Sequence, residues 1–298
     1  MSDLFFFEAS GVETPQAPDV REVENYVKAM EYGLKRLKTL PLSLRLIREI
    51  HEKLMRGVRG EIMTPGEFRT SQNWIGKAGA TLMDATFVPP PPNEMKDALG
   101  DLEKYMHADS PLPALVQLAL VHYQFETIHP FLDGNGRVGR LLVTLLLCAQ
   151  GLLQQPLLYL SSFFERYRNE YYDRLLAVSQ KGEWEEWIIF FLRGIAVQSK
   201  DAIERSDNLL KLWRSYRKKM QSVRASALPL QLVDELFSSP AITVSLAEKM
   251  LDVTPRAAQL NIEKLITAGI LKEATGKQRN RIYVASEIIQ VIERPHAQ

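Results

Sequence analysis

Residues 127–142, TIHPFLDGNGRVGRLL, constrain the fold most. They crowd a histidine, an aspartate, a Gly-Asn-Gly loop and two arginines together and then run into the apolar LLVTLLLCA. A run that apolar is the wall of a core, so the polar groups stand at the mouth of a buried helix. Gly134 and Gly136 can take backbone angles that turn successive N–H groups inward as an anion nest. A helix starting at about Arg137 adds its positive end to the same point. Arg137 and Arg140, three apart, share a helical face and suit the outer phosphates of a polyphosphate. Asp133 is placed to hold Mg²⁺ bridging those phosphates. His129, at the end of the preceding helix, is placed to take a proton from a hydroxyl. Phe131 anchors the loop in the core. Singly, each residue has a plainer role, Asp133 as a helix N-cap above all. Their joint occurrence points to transfer of a phosphate-containing group.

The rest of the chain narrows the class. With 298 residues, 46% of them hydrophobic, there is ample material for a core, and 37 basic against 36 acidic side chains name no partner. The lone Cys148 lies in an apolar stretch and forms no internal disulfide, which fits a reducing cytoplasm. LLVTLLLC is too short to span a bilayer, and the N-terminus lacks a secretory pattern, so a cytoplasmic location is expected.

Helical periodicity covers residues 21–37, 44–55 with Ser43 at the start, 94–107, 112–125, 138–149, 168–179 and 183–197. Between the second and third lies a Gly- and Pro-rich stretch whose QNWIG and TFV segments predict a short hairpin at about 70–90. Residues 201–224 read as a separate long polar helix. His122, with no second ligand pattern, is expected to be a buried structural histidine. From about 228 a new unit begins. It has a helix at 245–251, a second with Thr254 as N-cap and Pro255 at its first position, then a hairpin turning at 275–279: the order of a winged helix-turn-helix. Arg256, Gln259, Asn261, Lys277, Arg279 and Arg281 are its candidate DNA contacts, with protein docking or dimerisation as the other use of such a module.

The segment from His129 to Arg140 resembles the Fic family signature His-x-Phe-x-Asp/Glu-Gly-Asn-Gly-Arg-x-x-Arg at every fixed position. REVENYVKAMEYGL, LPLSLRLIREIHEKLM, GEFRTSQNWIG and FVPPPP are similar to the cytoplasmic bacterial branch of that family. The resemblance implies a mainly α fold: a Fic-type helical core with a β-hairpin flap, followed by a C-terminal winged helix-turn-helix domain. The expected division is 1–60 as the N-terminal helical region of the Fic module, 61–198 as the catalytic core, 199–227 as a linker helix and 228–298 as the winged domain. It implies a protein adenylyltransferase that moves AMP from ATP to a hydroxyl of a target protein and releases pyrophosphate, with His129 as base and Asp133 on Mg²⁺. The ATP contacts would be Gly134, Asn135, Gly136, Arg137, Val138, Gly139 and Arg140, with Asn73, Trp74, Ile75 and Gly76 on the flap. Near the adenine, Tyr171 is preferred over Tyr172. The flap would pair with an extended segment of the target, the chain itself being one candidate target, and a homodimer is a further expected partner. Two alternatives stay open: a Fic-type transferase of phosphate or another nucleotide, and a nucleotide-sensing transcriptional regulator. This branch usually carries Ser/Thr-x-x-x-Glu-Gly/Asn on an inhibitory helix whose glutamate pairs with the second motif arginine. No such hexapeptide occurs here, SSFFER and SQKGEW ending differently. The expectation is a chain lacking that helix, naturally or by truncation, with Arg140 unpaired and the site open.

Overall fold

The computed structural model describes residues 5, 9, 18–58, 63–77, 79–222, 227–276 and 280–294. The chain divides into two compact units, Arg21–Ser199 and a second made of Met1–Val20 with Lys200–Gln298.

The first unit is helical. Its elements are α1 (Pro18–Arg36), α2 (Leu44–Met55), α3 (Pro92–His107), α4 (Ala114–Ile128), α5 (Asn135–Ala149), α6 (Leu160–Arg166), α7 (Arg168–Lys181) and the start of α8 (Trp184–Ser222). Ser43 caps α2 as its pattern predicts, the hydroxyl accepting from Leu46 N at 3.4 Å. Leu46, Ile47, Ile50 and Leu54 then form one buried stripe of α2. That stripe joins α4 and α5, whose Leu118, Val121, Phe125, Leu141, Leu142 and Leu145 fill the same core. α5 is therefore apolar around most of its girth, and only its N-terminal turn is left for polar chemistry.

The expected hairpin at 70–90 is thinner than its sequence suggests. Ile75 and Phe87 make a single antiparallel bridge, with Ile75 N to Phe87 O at 2.9 Å and Thr86 N to Ile75 O at 2.8 Å. A short 3₁₀ turn, Leu82–Asp84, occupies the stretch between. QNWIG and TFV have strand chemistry but too few residues on either side to extend the ladder.

The second unit holds the end of α8, then α9 (Ala227–Leu236), β1 (Ala241–Ile242), α10 (Val244–Leu251), α11 (Pro255–Thr267), β2 (Lys272–Glu273), β3 (Tyr283–Val284) and α12 (Ser286–Glu293). Its sheet is antiparallel in the order β1-β3-β2, with Val284 opposite both Ala241 and Lys272. Thr254 caps α11 through its hydroxyl, with Pro255 at the first position. This is a helix-turn-helix with a small wing.

Two expected boundaries move. Residues 183–197 and 201–224 are not separate helices: α8 runs unbroken from Trp184 to Ser222, since no Gly or Pro interrupts it where the pattern turns polar. Its Leu209, Leu212, Tyr216 and Met220 pack into the core of the second unit, so this part of the expected linker helix contributes to that unit's body. Phe5 and Ala9 pack on Ala241, Ile282 and Val284, so the start of the expected N-terminal region belongs to the second unit as well. Among the described residues no helix is long and apolar enough to cross a membrane.

Candidate active site

The site is built at the turn between α4 and α5. His129 closes α4 in the left-handed region (φ 49°), its N–H bonding Phe125 O at 3.0 Å. That conformation is uncommon for a side-chain-bearing residue and is held by its neighbours. Nδ1 lies 3.2 Å from Glu126 O. A carbonyl only accepts, so Nδ1 carries the hydrogen and Nε2 is left bare. Burial pushes the imidazole down to about 4, with the Glu126 carbonyl opposing and the nearby Arg69 charge reinforcing, so the ring is neutral at physiological pH.

Asn135 shapes the loop through its side chain. Its Oδ1 accepts from Phe131 N at 2.8 Å and its Nδ2 donates to Phe131 O at 2.7 Å, closing the turn from both sides. Gly134 caps α5 at φ 82°, where a Cβ would fall 2.7 Å from Met55 Sδ. Gly136 differs from the expected nest: it is ordinary helix, α5 beginning at Asn135, two residues earlier than its sequence suggests. The first intrahelical bond runs from Val138 N to Gly134 O, so the N–H groups of Asn135, Gly136 and Arg137 head the helix without intrahelical partners. An anion is favoured there by the helix dipole rather than by a two-glycine nest.

Asp133 accepts from Gly134 N at 2.6 Å and stands 3.8 Å from Arg137 Nη2. Arg137 also reaches Glu22 at 3.3 Å and Met55 Sδ at 3.2 Å. Arg140 borders a cavity of about 350 Å³ with Tyr159, Ser161, Ser162, Phe164, Glu165, Arg168, Tyr171 and Tyr172. Its Nε has no hydrogen-bond partner among the described residues. Val138 and Gly139, expected beside the nucleotide, are turned inward: Val138 is buried with its N–H taken, and Gly139 faces Glu126 and Phe125. The two tyrosines also exchange emphasis. Tyr171 is 4% exposed with its hydroxyl 3.0 Å from His122 Nε2, whereas Tyr172 is 48% exposed at the cavity mouth. His122 is fully buried, and its Nδ1 faces Gly139 O at 3.3 Å. Nδ1 therefore donates, and Nε2 accepts from the tyrosine.

On the flap, Asn73 donates to His129 O at 3.3 Å and to Phe131 O at 3.0 Å, so it braces the loop. Trp74 is 43% exposed and donates to Ala80 O, and Ile75 and Gly76 follow it on the outer segment. No cluster of three or more His, Cys, Asp or Glu that could hold a metal occurs among the described residues. A divalent cation at Asp133 thus needs phosphate oxygens to complete its shell, which is how Mg²⁺ is commonly held.

Three residues that motif spacing did not single out complete the site. His51 of α2 stacks on Phe131 (centroids 3.7 Å apart, planes at 10°), contacts Asp133 O through Nε2 at 3.0 Å and accepts from Gly66 N. Burial pulls it down to about 4. Its signal in the sequence is a lone histidine inside the apolar stripe of α2. Arg69, 1% exposed, gives its guanidinium to the carbonyls of Ile128, His129, Ser71 and Pro90. Glu126, 9% exposed, lies against Gly139.

In the second unit, Asn261 is buried and donates to Ala257 O, so it offers nothing to a partner. Gln259 bonds Glu263, while Arg256 and Arg281 are exposed. Lys277 and Arg279 lie outside the described residues. Leu260 and Ile266 add apolar surface to the exposed side of α11.

Comparison with known proteins agrees with this architecture. Residues 41–147 match the Fic/DOC family, and residues 228–283 match an HTH DNA binding domain. The chain carries a Fic domain followed by a winged helix-turn-helix. It is 27% identical over 188 residues to the protein adenylyltransferase Fic of Drosophila yakuba, covering 60% of this chain and 34% of that protein. To the protein of that name from Drosophila virilis it is 30% identical over 151 residues, covering 48% and 29%. The chain thus spans about a third of the length of these relatives. Among solved structures, a Fic family protein from Desulfovibrio desulfuricans G20 superposes with a TM-score of 0.55 at 17% identity, covering 95% of this chain and 84% of the other. A Fic domain containing signaling protein from Bacteroides thetaiotaomicron VPI-5482 gives 0.51 at 21%, covering 68% and 80%. These two likenesses concern the fold.

Proposed function

We propose that this chain is a protein adenylyltransferase, moving AMP from ATP to a hydroxyl of a target protein. The observation that carries the reading is the neutral His129 with a bare Nε2, held four residues ahead of Asp133 and the open N–H groups of α5. The β and γ phosphates lie toward Arg137 and Arg140, and the adenine toward the cavity bordered by Tyr171 and Tyr172. The target hydroxyl attacks the α-phosphorus, its proton passes to His129 Nε2, the bond to the bridging oxygen breaks and pyrophosphate leaves. Mg²⁺ at Asp133, when bound, neutralises the phosphate charge that grows in this step. Fixed N–H groups and guanidiniums supply the same stabilisation from the protein side.

The exposed flap around Ile75 and Phe87 is the docking edge for an extended target segment, a case of strand addition. Arg256 and Arg281 keep DNA as the ligand to test on the winged domain. The reaction is tested with Mg²⁺ and ATP labelled at either the α or the γ phosphate, scored on protein, against His129→Ala. Label from α alone, lost in the variant, supports adenylyl transfer. Label from γ replaces it with phosphoryl transfer. No label in a lysate of candidate targets moves the reading to another nucleotide or to a regulator.

A further inference from the structure

Among the buried polar atoms at the motif that lack a hydrogen-bond partner among the described residues are Glu126 Oε1 and Arg140 Nε. They belong to packed helices, α4 and α5, and each occupies a notch that a glycine leaves. A Cβ at Gly139 would fall 2.3 Å from Glu126 Oε1, and one at Gly136 would fall 3.0 Å from Arg140 Nη1. Gly136 and Gly139, three apart, share one face of α5, so the carboxylate at one notch and the guanidinium at the other lie along the same strip of helix. Arg140 also borders the nucleotide-sized cavity, and Glu126 lies one turn before His129.

The surroundings leave Glu126 with one strong electrostatic companion. Arg140 faces it from α5 and Tyr171 from α7, while His122 and His129 flank it on α4. Tyr171 is pushed well up by burial, and both histidines are pushed down, so none of the three carries charge near neutrality. Tyr26 of α1, raised to about 12 by burial, faces Arg140 and is neutral too.

We propose that Glu126 is coupled through its charge to Arg140 at the cleft and takes up a proton from solvent when polyphosphate claims that arginine. Burial lifts the Glu126 carboxyl to about 7 even with Arg140 opposing the rise. Phosphate neutralises the guanidinium, the opposition disappears, and the buried carboxyl adopts its neutral form. Nucleotide binding and proton uptake are then one linked event, and affinity falls as pH rises through neutrality. The inference rests on the polyphosphate reading of the site, but not on which group is transferred.

Calorimetric titration of the full chain with a Mg²⁺-saturated, non-hydrolysable ATP analogue, in buffers of different ionisation heat, tests it. The wild type should take up about half a proton per nucleotide at pH 7, and Glu126→Gln none. Wild-type affinity should drop several-fold between pH 6.5 and 8.5 (about 0.8 kcal/mol for each factor of four), with the variant flat and Glu126→Asp restoring part of the slope. Binding with the same proton change in wild type and Glu126→Gln overturns the proposal. If Glu126→Gln does not fold, ¹³C at the glutamate carboxyls of the wild type reads the same event. One carboxyl titrating near pH 7 must move upward when the analogue is added, and its failure to move overturns the proposal. Linked binding without label transfer strikes only the adenylyl-transfer reading, whereas absence of nucleotide binding removes both.

Discussion

The motif loop and the flap lie side by side and are built on opposite terms. In the loop the side chains that shape the turn have fixed partners: Asn135 closes on Phe131, His51 on Asp133, and Arg69 on four carbonyls. The outer flap has one bridge, an exposed tryptophan and an exposed Met83. Chemistry on phosphorus needs atoms held in place, and a surface that receives another chain needs unspent backbone groups. On the proposed reading, the fold separates positioning in the loop from recognition on the flap.

That contrast can be broken at several points. His129→Ala should cut transfer by about a thousandfold, the size expected for loss of a positioned base, with the thermal midpoint little changed. Acid should attack the loop selectively. His51, His122 and His129 are held near 4, 3 and 4 by burial, whereas unfolded histidines titrate near 6.5. Their stabilising contribution is therefore complete above pH 6.5 and is lost as pH falls toward 4. Glu126, raised to about 7, works in the opposite sense and favours the fold at lower pH. Three groups against one give a net loss of about 3 kcal/mol between pH 7 and 5, read by urea melts across pH. The flap segment 70–90 contains no histidine.

Arg69→Leu should cost about 3 kcal/mol, because four carbonyls lose a charged donor at once, and denaturant midpoints check it. Gly134→Ala should cost about 2 kcal/mol, from the positive φ and the Met55 sulfur in the path of a Cβ, measured in the same way. Trp74→Ala on the flap should move stability by less than about 0.5 kcal/mol while weakening modification of a docked protein target. A large stability loss there would erase the distinction between the two regions.

Much of the framework was legible in the sequence because it rests on local rules. Ser43 and Thr254 are recognisable caps, the α2 stripe has helical spacing, and the order of residues from His129 to Arg140 contains its own loop and helix start. What escaped depends on partners far along the chain. Arg69 looks like a surface arginine until residues 90, 128 and 129 are brought to it. Glu126 looks like one polar position in an apolar helix until Gly139 is set against it. The continuity of α8 was hidden because its buried face changes from one hydrophobic core to another along its length, which a single amphipathic pattern does not reveal.

Arg69 also ties the site to the order in which the chain folds. Its four carbonyls come from segments up to 60 residues away, so the guanidinium is satisfied only after those loops have closed. The helices rest on local contacts, whereas the clamp depends wholly on distant ones apart from Ser71. A chain in which those segments are still apart therefore lacks the charged donor that braces the turn carrying His129.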